Sequence, residues 1–117
     1  MKVYEVQEIL NAEVLTGQDR LDHTVVGAGG ADIMAAFLAA ATKDAVILTG
    51  STADEVIRTA KVAEVAAVVF VRGKKPDDSA IELARSYNLP TMVTSHSLFV
   101  ASGKLYMNGL RGLDGSW

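Results

Sequence analysis

The sequence predicts an α/β domain with a short, mostly parallel central sheet layered between helices. Three observations carry the prediction. First, short apolar runs at residues 45–48, 66–71 and 91–93 each end in a small polar loop and then enter a helical pattern. Those loops are Thr49-Gly50-Ser51-Thr52, Arg72-Gly73-Lys74-Lys75 and Thr94-Ser95-His96-Ser97, and the rhythm is that of successive β-loop-α units. Second, residues 66–71 are continuously apolar, as expected of a central strand covered on both faces. Third, 117 residues suit one domain with one core, so residues 1–117 are expected to form a single unit.

Taken in order, residues 5–11 predict a short helix with Val6, Ile9 and Leu10 on one face. A short strand is expected at 13–15, ended by Gly17, and a polar loop at 18–23. Val25-Val26 suggests another strand before Gly27-Ala28-Gly29-Gly30, which reads as a flexible turn, and Asp32 stands where a helix cap belongs. Thr52 and Glu55 have the spacing of a capping box for the helix that follows, in which Val56, Ile57, Ala60 and Ala63 face inward. Asp77 and Asp78 after Pro76 open the next helix, and Leu89-Pro90 closes it. Ser95 or Ser97 caps a short last helix, Gly103 stops it, and residues 104–109 return as an extended segment. The glycine-rich end, residues 111–117, is expected to be loose unless a partner holds Trp117.

Residues 33–41 are apolar without interruption, which removes the polar stripe a surface helix should carry. The stretch is too short to span a bilayer, so protein must cover it. A domain this small has little interior, which makes Ile33, Met34, Phe37, Leu38 and Ala41 candidates for a homodimer interface. The other reading is a central helix buried by its own chain.

Composition narrows the function classes. Half of the residues are apolar but only 6% are aromatic, so the core must be aliphatic. A net charge of −3 favours neither nucleic acid nor an anionic membrane as a partner. With no cysteine, disulfides and cysteine-ligated metals are excluded, and no cofactor or metal is expected. The start, Met1-Lys2-Val3-Tyr4-Glu5, lacks the pattern of a signal peptide, and no apolar run approaches the ~20 residues of a membrane helix. A cytoplasmic protein is the expectation.

Recognised catalytic patterns are missing. Gly27-Ala28-Gly29-Gly30-Ala31-Asp32 fails the dinucleotide fingerprint, because the third required glycine is Asp32 and its carboxylate would compete with a pyrophosphate. No phosphate loop occurs, so phosphoryl transfer has no visible machinery. His23 and His96 have no metal-ligand spacing, and the neighbouring Ser95, His96 and Ser97 are poorly placed to share a proton. The most site-like feature is the gathering of Arg72, Lys74 and Lys75 where a central strand ends. With Ser51, Thr52, Ser95 and His96 these form a candidate site for an anion such as phosphate or carboxylate, in the crevice where parallel sheets bind ligands. The competing reading is a solvated loop whose lysines complement Asp77 and Asp78.

A series of short matches runs through Ala31-Asp32, Leu48-Thr49-Gly50, Phe70-Val71-Arg72-Gly73-Lys74, Ile81-Glu82-Leu83-Ala84, Leu89-Pro90, Thr94, Gly103-Lys104-Leu105-Tyr106 and Gly109-Leu110. Together they resemble the DRTGG domain, a small α/β domain related to the amino-terminal domain of HPr kinase/phosphorylase. Ser51-Thr52 stands where the family pattern has Asp-Arg, and Arg72-Gly73-Lys74 where it has Thr-Gly-Gly. The resemblance implies an HPr kinase amino-terminal-domain-like fold and a regulatory, ligand-sensing or scaffolding role, often dimeric and not catalytic. It implies as partners a second copy of the chain, a small anionic or nucleotide ligand, and a regulatory protein. The other functions open at this stage are a binding module for a phosphorylated or nucleotide ligand and, more weakly, a phosphotransferase accessory related to HPr kinase.

Overall fold

The computed structural model describes residues 1–40 and 43–113. The elements in chain order are α1 (Val3–Ile9), β1 (Glu13–Thr16), a 3-10 turn (Gln18–Arg20), β2 (Gly27–Gly30), α2 (Met34–Ala40), β3 (Ala45–Thr49), α3 (Asp54–Ala63), β4 (Ala67–Phe70), α4 (Asp78–Ser86), β5 (Thr91–Val93) and α5 (Leu98–Met107). The five strands lie in the order β1-β5-β4-β3-β2. Neighbours from β2 to β5 are parallel, and β1 closes one edge antiparallel to β5. The predicted α/β class and the mostly parallel sheet are both present.

From β2 to β5 the chain steps one strand at a time in one direction. Right-handed crossovers therefore place α2, α3 and α4 on one face. They pack there in sequence, with Ser79 of α4 donating to Asp54 Oδ1 of α3 at 2.7 Å. After β5 the chain crosses to the other face, where α5 packs beside α1. Alternation along the strands divides the core accordingly. Val46, Leu48, Val69 and Met92 meet α1 and α5, while Ile47, Val68, Phe70 and Val93 meet α2, α3 and α4. Every residue of β3, β4 and β5 is buried, as expected of strands covered on both faces.

Several local expectations are corrected. Gly27–Gly30 is not a turn but strand β2, pairing with β3 in the register Gly27↔Ala45 to Gly30↔Leu48. Its glycines serve close approach. A Cβ on Gly29 would lie 2.6 Å from Leu113 Cδ1, and one on Gly30 2.9 Å from Leu98 Cδ1. The end of the chain is held against this strand, since the Ala28 amide donates to the Arg111 carbonyl at 2.9 Å and Gly112 bridges Ala28. Residues 111–113 thus cover a sheet edge that would otherwise expose unpaired backbone groups; Trp117 lies outside the described residues.

The capping box expected at Thr52 and Glu55 does not form. Helix α3 starts from Ala53, and the Thr52 carbonyl accepts the Asp77 amide at 3.1 Å, which draws it toward the start of α4. A carboxylate does return to the helix start at α1, where Glu5 Oε1 accepts the Lys2 amide at 2.9 Å. Gly103 does not stop the last helix, and residues 104–107 are helical. Ala101 and Leu105 are buried four residues apart across that glycine, and their burial offsets its helix cost of about 1 kcal/mol.

The apolar stretch at α2 is not covered all round. Met34 and Phe37 are buried by their own chain against Ile47 and Phe70, so neither is available to a partner, contrary to their place among the interface candidates. Ile33 and Leu38 remain exposed, and Ala41 lies outside the described residues.

Candidate functional site

The carboxyl ends of the parallel strands carry four loops, at residues 31–33, 50–53, 71–77 and 94–97. The chain leaves β4 toward one face of the sheet and β5 toward the other. The point between these strands is where ligands enter open α/β sheets. Here, however, the backbone closes it. Arg72 and Gly73 both take left-handed conformations, with φ of 61° and 69°. Their amides donate to the His96 and Thr94 carbonyls, each at 2.8 Å, which stitches the two loops together beyond the ends of the strands. Thr94 is fixed from below, its hydroxyl donating to the Leu10 carbonyl at 2.7 Å.

The opening is displaced toward β3. A cavity of about 230 Å³ is lined by Asp32, Gly50, Val71, Arg72, Ser97, Leu98 and Phe99. Its walls come from the loops after β2, β3 and β4 and from the first turn of α5. Ser97 caps that turn by accepting the Val100 amide at 3.1 Å. Gly50 is the pivot of the site. A Cβ there would lie 2.5 Å from Arg72 Nη2, so the missing side chain leaves room for the guanidinium. Asp32 does not cap α2. Its Oδ1 instead accepts the Gly50 amide at 2.8 Å and the Thr49 hydroxyl at 3.4 Å, tying the β2 loop to the β3 loop. Arg72 is in none of the ion pairs among the described residues, so an exposed guanidinium stands beside the cavity without a carboxylate partner.

Of the candidate ligand residues, only Arg72 lines this cavity. Ser51 is half-buried in the same loop, its amide on Thr49 Oγ1 at 3.1 Å. Thr52 contributes its carbonyl to the α4 junction. Lys74 and Ser95 are exposed, and His96 is half-buried with its amide on Thr94 Oγ1 at 3.3 Å. Lys75 turns away to Glu13 of β1 at 3.4 Å. Asp32, Gly50, Leu98 and Phe99 were not read as site residues from sequence, and Ser97 was read only as a cap. Their signal was indirect, since each lies next to a strand end or a helix start and none has a reactive pattern.

A second cavity of about 290 Å³ lies at the opposite edge of the sheet, between Arg20, Asp44, Lys61, Glu64 and Tyr87. Within its lining His23 Nε2 meets Asp44 Oδ1 at 2.7 Å, and Lys61 Nζ sits 5.2 Å from the Tyr87 ring centre.

Fold and cavity together define a small three-layer α/β domain with a ligand-sized recess at the carboxyl edge of its sheet. The family profile of the DRTGG domain matches residues 5–106, and the chain belongs to the DRTGG domain family. No curated protein matches the chain. Among solved structures it is similar to the CBS and DRTGG domains of the regulatory region of Clostridium perfringens pyrophosphatase, complexed with the activator diadenosine tetraphosphate. That likeness has a TM-score of 0.72 at 18% identity, and it covers 89% of this chain and 45% of the other. This chain therefore spans less than half of that relative.

Proposed function

We propose that this chain is a single, non-catalytic regulatory domain that senses a small phosphorylated or nucleotide ligand at the recess beside Arg72. The observation that carries the reading is the Arg72 guanidinium, set over Gly50 outside the ion pairs of the described residues and next to the first turn of a ten-residue helix. A guanidinium binds phosphate through paired, charge-assisted hydrogen bonds, and the amides at a helix start add positive potential. Asp32 supplies a different preference. Among the described residues its hydrogen bonds fall on Oδ1, which leaves Oδ2 as an acceptor for a sugar hydroxyl. A cation and a carboxylate that both approach the Cβ side of Gly50 suit a ligand carrying both phosphate and ribose. The volume of about 230 Å³ is below that of most drug-sized sites, and fits a sugar phosphate better than a complete dinucleotide.

A further observation supports a regulatory role. The fold is shared with a regulatory region whose activator is a nucleotide. No helix among the described residues is long and apolar enough to cross a membrane, and action in the cytoplasm is part of the proposal. Calorimetry against nucleoside mono-, di- and triphosphates, diadenosine tetraphosphate and sugar phosphates tests the reading. Binding should weaken at least tenfold in Arg72→Ala, the size of one lost charge-assisted bond. A ligand that binds equally well without Arg72 refutes the site, and ATP turnover by the purified chain refutes the non-catalytic reading.

A further inference from the structure

The cavity of about 290 Å³ lies where the parallel strands begin, at the other end of the sheet from the recess beside Arg72. Its walls are the last turns of α3 and α4, the loop before β3 and the segment between β1 and β2. Both helices end on left-handed residues, Glu64 with φ of 55° and Asn88 with φ of 51°. The turns that follow return amides to the last carbonyls. The Val65 amide donates to the Ala60 carbonyl at 3.1 Å, and the Leu89 amide to the Ala84 carbonyl at 3.0 Å. The Glu64 carbonyl accepts the Asp44 amide at 3.0 Å. The main chain caps both helix ends by itself, so the cations gathered there are not needed as hydrogen-bond donors to its carbonyls.

The charge of the cavity is unbalanced. Arg20, Lys43 and Lys61 line it against the carboxylates of Asp44 and Glu64. Both carboxylates are engaged, Asp44 Oδ1 with His23 Nε2 at 2.7 Å and Glu64 Oε2 with Lys43 Nζ at 3.9 Å. Arg20 and Lys61 are in none of the ion pairs among the described residues. Lys61 lies over the Tyr87 ring, a contact that leaves ammonium donors open. Arg20 is half-buried, where a charge without a counter-ion is held less well than in water. Between these cations the wall is apolar, with Val65 and Leu89 buried and Tyr87 half-buried. One cation in excess beside an apolar wall suits a monoanion with an apolar body. A carboxylate meets a guanidinium through paired hydrogen bonds and brings a single negative charge. A phosphate dianion would set its excess charge against Asp44 and Glu64, and it has no apolar part to cover the wall. The volume is at the small end for ligand sites and suits one ring or a short branched chain.

We propose that this cavity is a second binding site, independent of the recess, for a small monocarboxylate with an apolar body, held by Arg20 and Lys61 against Tyr87 and Leu89. Phenylacetate is the probe, titrated into the full chain and followed by amide chemical shifts and calorimetry. It should bind at millimolar concentration or below and shift the amides of Asp44, Lys61, Glu64 and Tyr87. Phenylacetamide lacks the charge, acetate lacks the ring and inorganic phosphate carries the wrong charge, so each should bind at least about tenfold more weakly. Arg20→Gln should weaken phenylacetate at least about tenfold. Lys61→Gln, on the exposed surface, should keep the circular dichroism of the parent and weaken binding severalfold. Lys104→Gln, an exposed charge on the other face of the sheet, should change nothing. An absence of phenylacetate shifts, or shifts at Gly50 and Arg72 in their place, overturns the proposal. So does equal binding of phenylacetamide or phosphate, or an affinity kept in either Arg20→Gln or Lys61→Gln.

Discussion

Two glycines show how a single missing side chain can serve fold or function. Gly17 has φ of 74°, and a Cβ there would lie 2.4 Å from the backbone nitrogen of Pro90. Nothing on either side can yield, because the contact is with main chain next to the buried Thr16, whose hydroxyl donates to the Leu89 carbonyl at 2.7 Å. Gly17→Ala should destabilise the fold by about 2 kcal/mol or more in urea denaturation, from overpacking and left-handed strain together. Gly50 presents the opposite case. The atom its Cβ would meet is the far end of Arg72, an exposed side chain free to move. Gly50→Ala should therefore leave stability within about 0.5 kcal/mol while displacing the guanidinium and weakening ligand binding, a contrast read by denaturation and calorimetry on one variant. Sequence identified the strand ends but not this distinction. Gly50 reads as an ordinary loop glycine until the Arg72 side chain is seen lying over it.

Among the elements, α5 departs furthest from what its sequence suggested. Gly103 argued for a stop, and the residues after it for an extended return. Intrinsic propensity lost to packing, because Ala101 and Leu105 each fill the layer between the sheet and α1. The cap was legible, and Ser97 performs it. Ser97→Ala should cost about 1 kcal/mol of stability by freeing the Val100 amide, measurable by thermal or chemical denaturation. At β2 the error ran the other way. Glycine repeats usually mark turns, and only the approach of Leu98 and residues 111–113 explains why four such residues form a strand. In α2 the uninterrupted apolar stretch argued for cover on nearly all sides, but Met34 and Phe37 are buried by their own chain while Ile33 and Leu38 stay exposed. Periodicity carries no information in a run without polar residues, so the division between inward and outward sides had to come from the fold.

For the molecule as a whole, the apolar runs and their polar loops disclosed the parallel sheet, and the resemblance to the DRTGG domain agrees with the family match. The order of strands, the change of face after β5 and the closure of the β4–β5 gap were not readable, since they depend on contacts between distant segments. The same long-range assembly sets Phe99, 87% exposed, on the wall of the recess beside Arg72. Phe99→Ala should leave stability within about 0.5 kcal/mol, because the ring is exposed, while weakening the binding proposed at the recess. Denaturation and titration of that variant check this. A wall built from a side chain the core does not need can be exchanged cheaply, so the shape preference of the recess can change by one substitution with the sheet beneath it undisturbed.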